Sequence, residues 1–197
     1  MERKGGPELS LSYIELPMTR IMHQYILHRE TPNSNGQIFA GFFVNKSIQV
    51  AMLCMIELCE LSQEGVIDPE TGEEIPKMRA MESTKFIHLD SVDICNFMIS
   101  HYTGHILEMQ AEITYTDPKK GLAYVQVSSR DKDIVNSSTA TSDHSQLNDS
   151  CFARDEKRNV LNLIYRVDRS IKLKQILPTD YSQSLRYLEG KRIIDVL

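Results

Sequence analysis

The sequence has no long hydrophobic run and no large excess of charge of either sign. Its longest uninterrupted apolar stretch covers only residues 50–56, whereas a membrane-spanning helix needs about 20 apolar residues. The formal net charge of the 197 residues is −5, which argues against the extended basic surface typical of nucleic-acid binding. We therefore expect neither a membrane span nor a nucleic-acid partner.

Cysteine is scarce as well. Cys54, Cys59, Cys95 and Cys151 form no CxxC pair and the six histidines are scattered, so the clustered ligands of a zinc site are missing. We expect free thiols in a reducing compartment and no bound metal. Residues 1–6 are not followed by the apolar core of a secretory signal. These features favour the cytoplasm, with a mitochondrial location as the alternative.

The composition is that of an ordinary globular protein, with 41% hydrophobic and 25% charged residues. We expect a loose amino-terminal segment over residues 1–20, where two prolines work against regular structure. A domain is expected over residues 21–175, with a structured piece at 21–28 and an acidic, proline-containing loop at 62–77. Residues 176–197 are expected to form a carboxy-terminal helix and tail.

Two kinds of periodicity indicate the elements of this domain. Residues 38–61 contain no proline and are apolar on most faces, which predicts a long buried helix. Residues 107–116 and 123–128 alternate apolar and polar side chains about a turn, which predicts an antiparallel hairpin. Further elements are predicted as strands at 79–87, 94–100 and 161–167, a turn at 90–93, and a short helix from Thr179 through Leu188 that ends at Gly190. The order predicts an α+β domain in which an antiparallel sheet curls around one helix.

Several stretches resemble the hotdog-fold acyl-CoA thioesterases. Residues 33–42 (NSNGQIFAGF) resemble the family's segment that leads into its central helix. Residues 82–87 (ESTKFI) with 91–93 (SVD) are similar to the next strand and its turn, and residues 111–116 (AEITYT) to the strand before the hairpin. Residues 177–190 resemble the end of the mitochondrial-type acyl-CoA thioesterase 9 group, in its second hotdog domain. The resemblance implies the hotdog fold and a site between two domains.

The resemblance also implies roles for residues around the start of the helix. A helix N-terminus offers unpaired N–H groups that can stabilise an oxyanion, and Gly41 lies there without a side chain. The alternative for Gly41 is close packing of the helix against the sheet. The family holds its attacking water with an Asp or Asn before the helix, sometimes supported by a Glu or Asp inside it. The aligned residues here are Gln37 and Gln49, with Ile48 as the adjacent alternative to Gln49. Asn35 is a further candidate for positioning, because glutamine cannot act as a general base near neutral pH.

The substrate-binding residues implied by the resemblance lie around the strand after the helix. They are Glu82, Lys85, Phe86 and His88. No cofactor is expected, because CoA is part of the substrate. The predicted function is hydrolysis of fatty acyl-CoA to free fatty acid and CoA by a homodimer or higher homo-oligomer. One alternative is a weak or inactive hotdog domain that binds acyl-CoA or pairs with an active domain. Another is a lipocalin-like curved sheet that binds a different apolar ligand.

Overall fold

The computed structural model describes residues 13–28, 38–63, 80–96, 104–132 and 159–197. The strands are β1 (Tyr13–Glu15), β2 (Ile21–Ile26), β3 (Ile87–Asn96), β4 (Ile106–Asp117), β5 (Leu122–Asp131), β6 (Asn159–Val167) and β7 (Gln175–Leu177). The helices are α1 (Ala40–Gln63), α2 (Ala80–Ser83) and α3 (Tyr181–Val196), with 3-10 turns at Leu16–Thr19 and Thr84–Phe86.

Five strands form one antiparallel sheet in the order β2-β4-β5-β6-β3, and β1 pairs with β7 separately. The predicted hairpin is confirmed as β4 and β5, and the strand predicted at 161–167 is β6. The hairpin turn ends at Gly121, whose φ is +67°. A Cβ on Gly121 would lie 2.8 Å from the carbonyl oxygen of Val167, so this position requires glycine. β2 and β3 are the edges of the sheet.

α1 lies across one face of the sheet, which we call the inner face. The predicted helix at 38–61 is confirmed to within two residues at each end. Its buried residues recur every three or four positions, as expected of a core-facing stripe; they are Phe43, Ser47, Val50, Ala51, Cys54, Met55, Leu58, Cys59 and Ser62. By length and composition alone α1 could cross a membrane. Here its buried stripe packs against inward-facing residues of β4, β5 and β6 in one core.

α3 covers the opposite face of the sheet, which we call the outer face. Ile194 of α3 joins a second apolar cluster with Tyr115, Leu122, Tyr124 and Ile164. The prediction that Gly190 ends this helix is wrong, because α3 continues to Val196. Gly190 is buried within the helix, where a Cβ would lie 2.8 Å from Cδ1 of Tyr124. Glycine at this position therefore permits close packing of helix on sheet.

Residues 80–96 also differ from the prediction. The strand predicted at 79–87 is wrong over residues 80–86, which form α2 and a 3-10 turn. The strand predicted at 94–100 is confirmed for 94–96, the last residues of β3, and residues 97–100 lie outside the described part of the chain. Glu82 therefore lies in a short helix and not in a strand. The turn predicted at 90–93 lies inside β3, where the pairing with β6 shifts register between Leu89 and Ser91. The ladder with β6 satisfies the backbone groups of this segment, and that tertiary pairing overrides its local turn propensity.

Part of the amino-terminal segment is ordered, contrary to expectation. Residues 13–19 form β1 and a 3-10 turn, and Leu16 is fully buried. Pro17 lies in the first positions of that turn, where a missing N–H has no consequence for hydrogen bonding. The structured piece predicted at 21–28 contains β2. The acidic loop at 62–77 lies outside the described residues, apart from the last two residues of α1. The boundaries 1–20, 21–175 and 176–197 stay predictions.

Candidate functional site

The direction of α1 on the sheet follows from two contacts with β2. The thiol of Cys54 lies beside the backbone of Ile21, and the Lys46 ammonium lies 5.1 Å from the centroid of the Tyr25 ring. From Cys54 to Lys46 the helix rises about 12 Å, and from Ile21 to Tyr25 the strand rises about 13 Å. α1 and β2 are therefore antiparallel, and Ala40 lies level with the residues that follow the end of β2.

The first turn of α1 is uncovered in this chain. Phe39 is 66% exposed, and Ala40 and Gly41 are exposed as well. The Phe42 N–H donates to the Phe39 carbonyl at 3.0 Å at the helix start. A Cβ on Gly41 would overlap the Phe39 ring, so the close neighbour of Gly41 is this ring and not the sheet. An accessible helix start without a side chain is the geometry that a carbonyl needs to approach helix N–H groups.

Gln49 lies on an exposed flank of α1, further along the helix. Its Nε2 donates to Asn45 Oδ1 at 3.2 Å, and its Oε1 accepts from Lys46 Nζ at 3.1 Å. These amides can hold a water molecule by hydrogen bonds, but they cannot take a proton from it near neutral pH. Asn35 and Gln37 lie outside the described residues, so their placement beside Gln49 stays a prediction.

The predicted substrate-binding residues lie at the other end of the sheet. Glu82 and Lys85 are exposed, His88 is exposed on β3, and Phe86 packs half-buried against the core. β3 begins opposite Val167 of β6, beside the turn between β4 and β5. With 24 residues, α1 is about 36 Å long. One chain therefore does not bring these four residues to the helix start.

Sequence reasoning missed a hydrogen-bonded histidine–aspartate pair at the end of the sheet beside the start of α1. His105 precedes β4, and its Nδ1 lies 2.5 Å from Oδ2 of Asp131, the last residue of β5. The Asp131 side chain is 2% exposed and the His105 side chain 36%. Ser129 and Asn159 are also buried at this end of the sheet. This end therefore contains buried polar groups, whereas the middle of the inner face is apolar.

A cleft of about 330 Å³ lies on the outer face, between α3 and the sheet. Its walls include Gln110, Gln126 and Ser128. Glu112 lies at its base and accepts from Arg20 at 3.0 Å and from Arg186 at 2.5 Å. The carboxylate is thus held in a structural ion-pair network. Because the sheet separates this cleft from α1, it is not part of the helix-start site.

Two of the cysteines are buried free thiols, as predicted. Cys54 and Cys59 are free and fully buried in the core. Desolvation raises the pKa of each thiol to about 12, so neither supplies a thiolate nucleophile near neutral pH. Within the described part of the chain, no three His, Cys, Asp or Glu side chains come together as a metal site would require.

Comparison of the sequence with known proteins identifies no relative. No protein-family model matches the chain, and no curated protein matches it either.

Comparison of the structure does find similar proteins. One is the acyl-CoA hydrolase from Staphylococcus aureus, in complex with butyryl coenzyme A, coenzyme A and coenzyme A disulfide; it is 14% identical, with a TM-score of 0.59 over 93% of this chain and 88% of that one. Another is an apo hexameric acyl-CoA thioesterase, 16% identical, with a TM-score of 0.57 over 93% of each chain. The sheet around one long helix and these similarities together show that the chain has the hotdog fold.

Proposed function

We propose that this chain hydrolyses acyl-CoA thioesters to free acids and CoA. The observation that carries the proposal is the fold it shares, over 93% of its length, with a Staphylococcus aureus acyl-CoA hydrolase that binds butyryl-CoA and CoA. The sequence adds support, because residues 33–42 resemble the hotdog thioesterases and lead into the uncovered start of α1.

In this proposal the thioester carbonyl lies at the first turn of α1. The first N–H groups of a helix have no carbonyl partner within that helix, although the N–H of Phe42 donates to the Phe39 carbonyl just before it, and the helix dipole is positive at this end. Both features stabilise the oxyanion that forms when water attacks the carbonyl. The Phe39 ring fills the space beside Gly41, so the thioester approaches the exposed backbone of this turn and not a gap at Gly41. Asn35, Gln37 and Gln49 hold the attacking water by hydrogen bonds.

We further propose that the active form is a homodimer or a larger homo-oligomer. β3 is an edge strand with Leu89 and Val92 exposed, and the unpaired backbone groups of an edge can pair with another chain. Lys85, Phe86 and His88 lie on or next to this edge, so a second copy is able to bring them to a site that one chain leaves incomplete. One of the similar structures is a hexamer, which supports assembly.

A finer proposal concerns the position of the chain within the thioesterases. Residues 177–190, which resemble the mitochondrial-type acyl-CoA thioesterase 9 group, extend from the end of β7 into α3. This resemblance supports equating the chain with the second hotdog domain of that group. The two hotdog domains of the group support the same requirement for a partner domain at the site.

Release of CoA thiol from acyl-CoA esters of several chain lengths tests the proposal on the purified chain. We expect turnover that falls at least about tenfold in Gln37→Ala and is retained in Gln175→Ala. Gln175 is a matched control, since it is exposed on β7 and bonded to Tyr187, away from α1. Calorimetric binding of CoA esters without turnover would favour a binding or pairing module instead. Absence of both turnover and binding would contradict the acyl-CoA proposal altogether.

A further inference from the structure

We propose that His105 is the acid–base residue of this thioesterase site and that the buried carboxylate of Asp131 orients it. The inference rests on the proposed function. The proposed site still needs a general base, because the amides of Asn35, Gln37 and Gln49 can hold a water molecule but cannot accept its proton near neutral pH. Histidine is the side chain that exchanges a proton most readily in that range.

The hydrogen bond between the two side chains fixes the imidazole. Nδ1 of His105 lies 2.5 Å from Oδ2 of Asp131, and the Asp131 side chain is only 2% exposed. In the proposed arrangement the ring nitrogen facing this carboxylate donates its proton to it, so that Nε2 has the basic lone pair. The His105 side chain is 36% exposed, which gives the imidazole access to solvent. Aspartate orients histidine in this way in many hydrolytic sites.

Both side chains lie on the inner face of the sheet, which α1 covers. Leu107 pairs with Asp131 across the β4–β5 ladder and belongs to the core around α1. His105 precedes β4, and its contact with Asp131 Oδ2 places its ring beside the same face. Arg130, one residue before Asp131, pairs with Glu108 on the outer face. The strand pattern therefore aims Asp131 toward α1 and separates it from the Arg130 pair.

The pair also lies level with the start of α1. The Leu27 N–H donates to the His105 carbonyl at 3.0 Å, and the Gly104 N–H donates to the Leu27 carbonyl at 2.7 Å. These bonds fix the backbone of His105 beside the residue that follows β2. The antiparallel run of α1 along β2 brings Ala40 to the same level. The imidazole therefore lies beside the inner face of the sheet and at the end of the sheet where α1 begins, which is where the proposed oxyanion forms.

The reaction balances with these groups alone. Nε2 of neutral His105 accepts a proton from water as the water oxygen bonds to the thioester carbon, and the carbonyl electron pair moves to the oxygen. When the carbonyl re-forms, the C–S bond breaks and its electron pair leaves with sulfur. The imidazolium then returns the proton to the CoA thiolate. The products are the free acid and the CoA thiol, and His105 is neutral again.

Steady-state thiol release by the intact wild-type chain and its variants tests the proposal. We expect His105→Ala to lower kcat about 100-fold or more with little change in KM, and imidazole added to the buffer to restore part of that rate. Asp131→Asn is expected to lower kcat about tenfold or more, because the ring loses its orientation. His23→Ala is the matched control, since His23 is exposed on β2, and it should keep the wild-type rate.

An unchanged kcat in folded His105→Ala would overturn the inference, and so would a loss that imidazole does not relieve. If circular dichroism shows that His105→Ala is unfolded, His105→Gln takes its place, with the same fall in kcat at constant KM expected and an unchanged kcat contradicting it. A wild-type chain without turnover contradicts the proposed function itself. Failure of the function and failure of the His105–Asp131 pair are thereby distinguished.

Discussion

The guanidinium of Arg186 and the carboxylate of Glu112 form an ion pair that attaches α3 to the outer face of the sheet, with Nη1 2.5 Å from Oε2. Arg20, just before β2, donates to the other carboxylate oxygen at 3.0 Å. Glu112 is only 2% exposed. Removing one partner of a buried ion pair leaves the other charge uncompensated, which is strongly destabilising. One side chain thus connects α3, β4 and the segment leading into β2.

Replacing Glu112 by glutamine removes the charge that the two guanidinium groups share. We expect Glu112→Gln to lower the free energy of unfolding by about 3 kcal/mol, the typical effect of breaking a buried ion pair. Urea unfolding followed by circular dichroism measures this change. Glu189→Gln, an exposed change on the same helix, should have little effect. Equal stabilities for wild type and Glu112→Gln would contradict a structural role for the network.

Gly190 provides a test of how closely α3 packs on the sheet. Alanine favours a helix over glycine by about 1 kcal/mol, but its Cβ would lie 2.8 Å from Tyr124 Cδ1 and 2.9 Å from Tyr115 Cβ. Overpacking of this kind costs about 1–3 kcal/mol. We therefore expect Gly190→Ala to destabilise the chain by up to about 2 kcal/mol in thermal unfolding. An increase in stability would mean that α3 does not pack this closely, and Lys191→Ala, at an exposed neighbouring position, is the control.

The two buried thiols should be chemically protected. Because burial raises the pKa of Cys54 and of Cys59 to about 12, only about one thiol in 10⁴ is ionised at pH 8. We expect a thiol reagent to leave both residues unmodified in the folded chain and to label them after denaturation. Peptide mapping by mass spectrometry locates the label. Rapid modification of Cys54 under native conditions would show that this face of α1 is not packed against the sheet.

Acid should weaken the start of α3. Asp180 accepts the backbone N–H of Gln183 at 2.7 Å, and this hydrogen bond lowers the pKa of the Asp180 carboxyl. A lowered pKa in the folded state means that the carboxylate stabilises the fold above its ordinary pKa of about 3.9. That stabilisation is lost as the pH falls further. The stability difference between wild type and Asp180→Ala should therefore shrink between pH 6 and pH 3, and a constant difference would contradict the cap.

The sequence predicted those parts of the fold whose local pattern agrees with their tertiary role. The alternation in residues 107–116 identified β4, and the apolar, proline-free run at 38–61 identified α1. Prediction failed where packing overrides local preference. The turn-like residues 90–93 lie within a strand, since β6 pairs with residues 91–93. Gly190 lies inside a helix at the point where Tyr124 and Tyr115 of the sheet leave no space for a side chain.

The candidate site was predictable only in part. The helix start and Gly41 follow from a local motif that the sequence displays directly. The contact between His105 and Asp131 depends on the register of the β4–β5 hairpin, which pairs Leu107 with Asp131. The predicted hairpin ended at residues 107 and 128, so neither member of the pair was included. Extending the alternation by two or three residues on each strand would have placed both side chains on the inner face.

If an acyl-CoA thioester binds at the start of α1 with His105 beside it, a bound analogue should protect both segments from solvent. Hydrogen–deuterium exchange of the intact chain, with and without a non-hydrolysable acyl-CoA thioether, measures this protection. We expect slower exchange in peptides covering residues 38–48 and 104–107 when the thioether is bound, and no change in α3. Protection confined to α3 and the outer face, with the start of α1 unaffected, would contradict it.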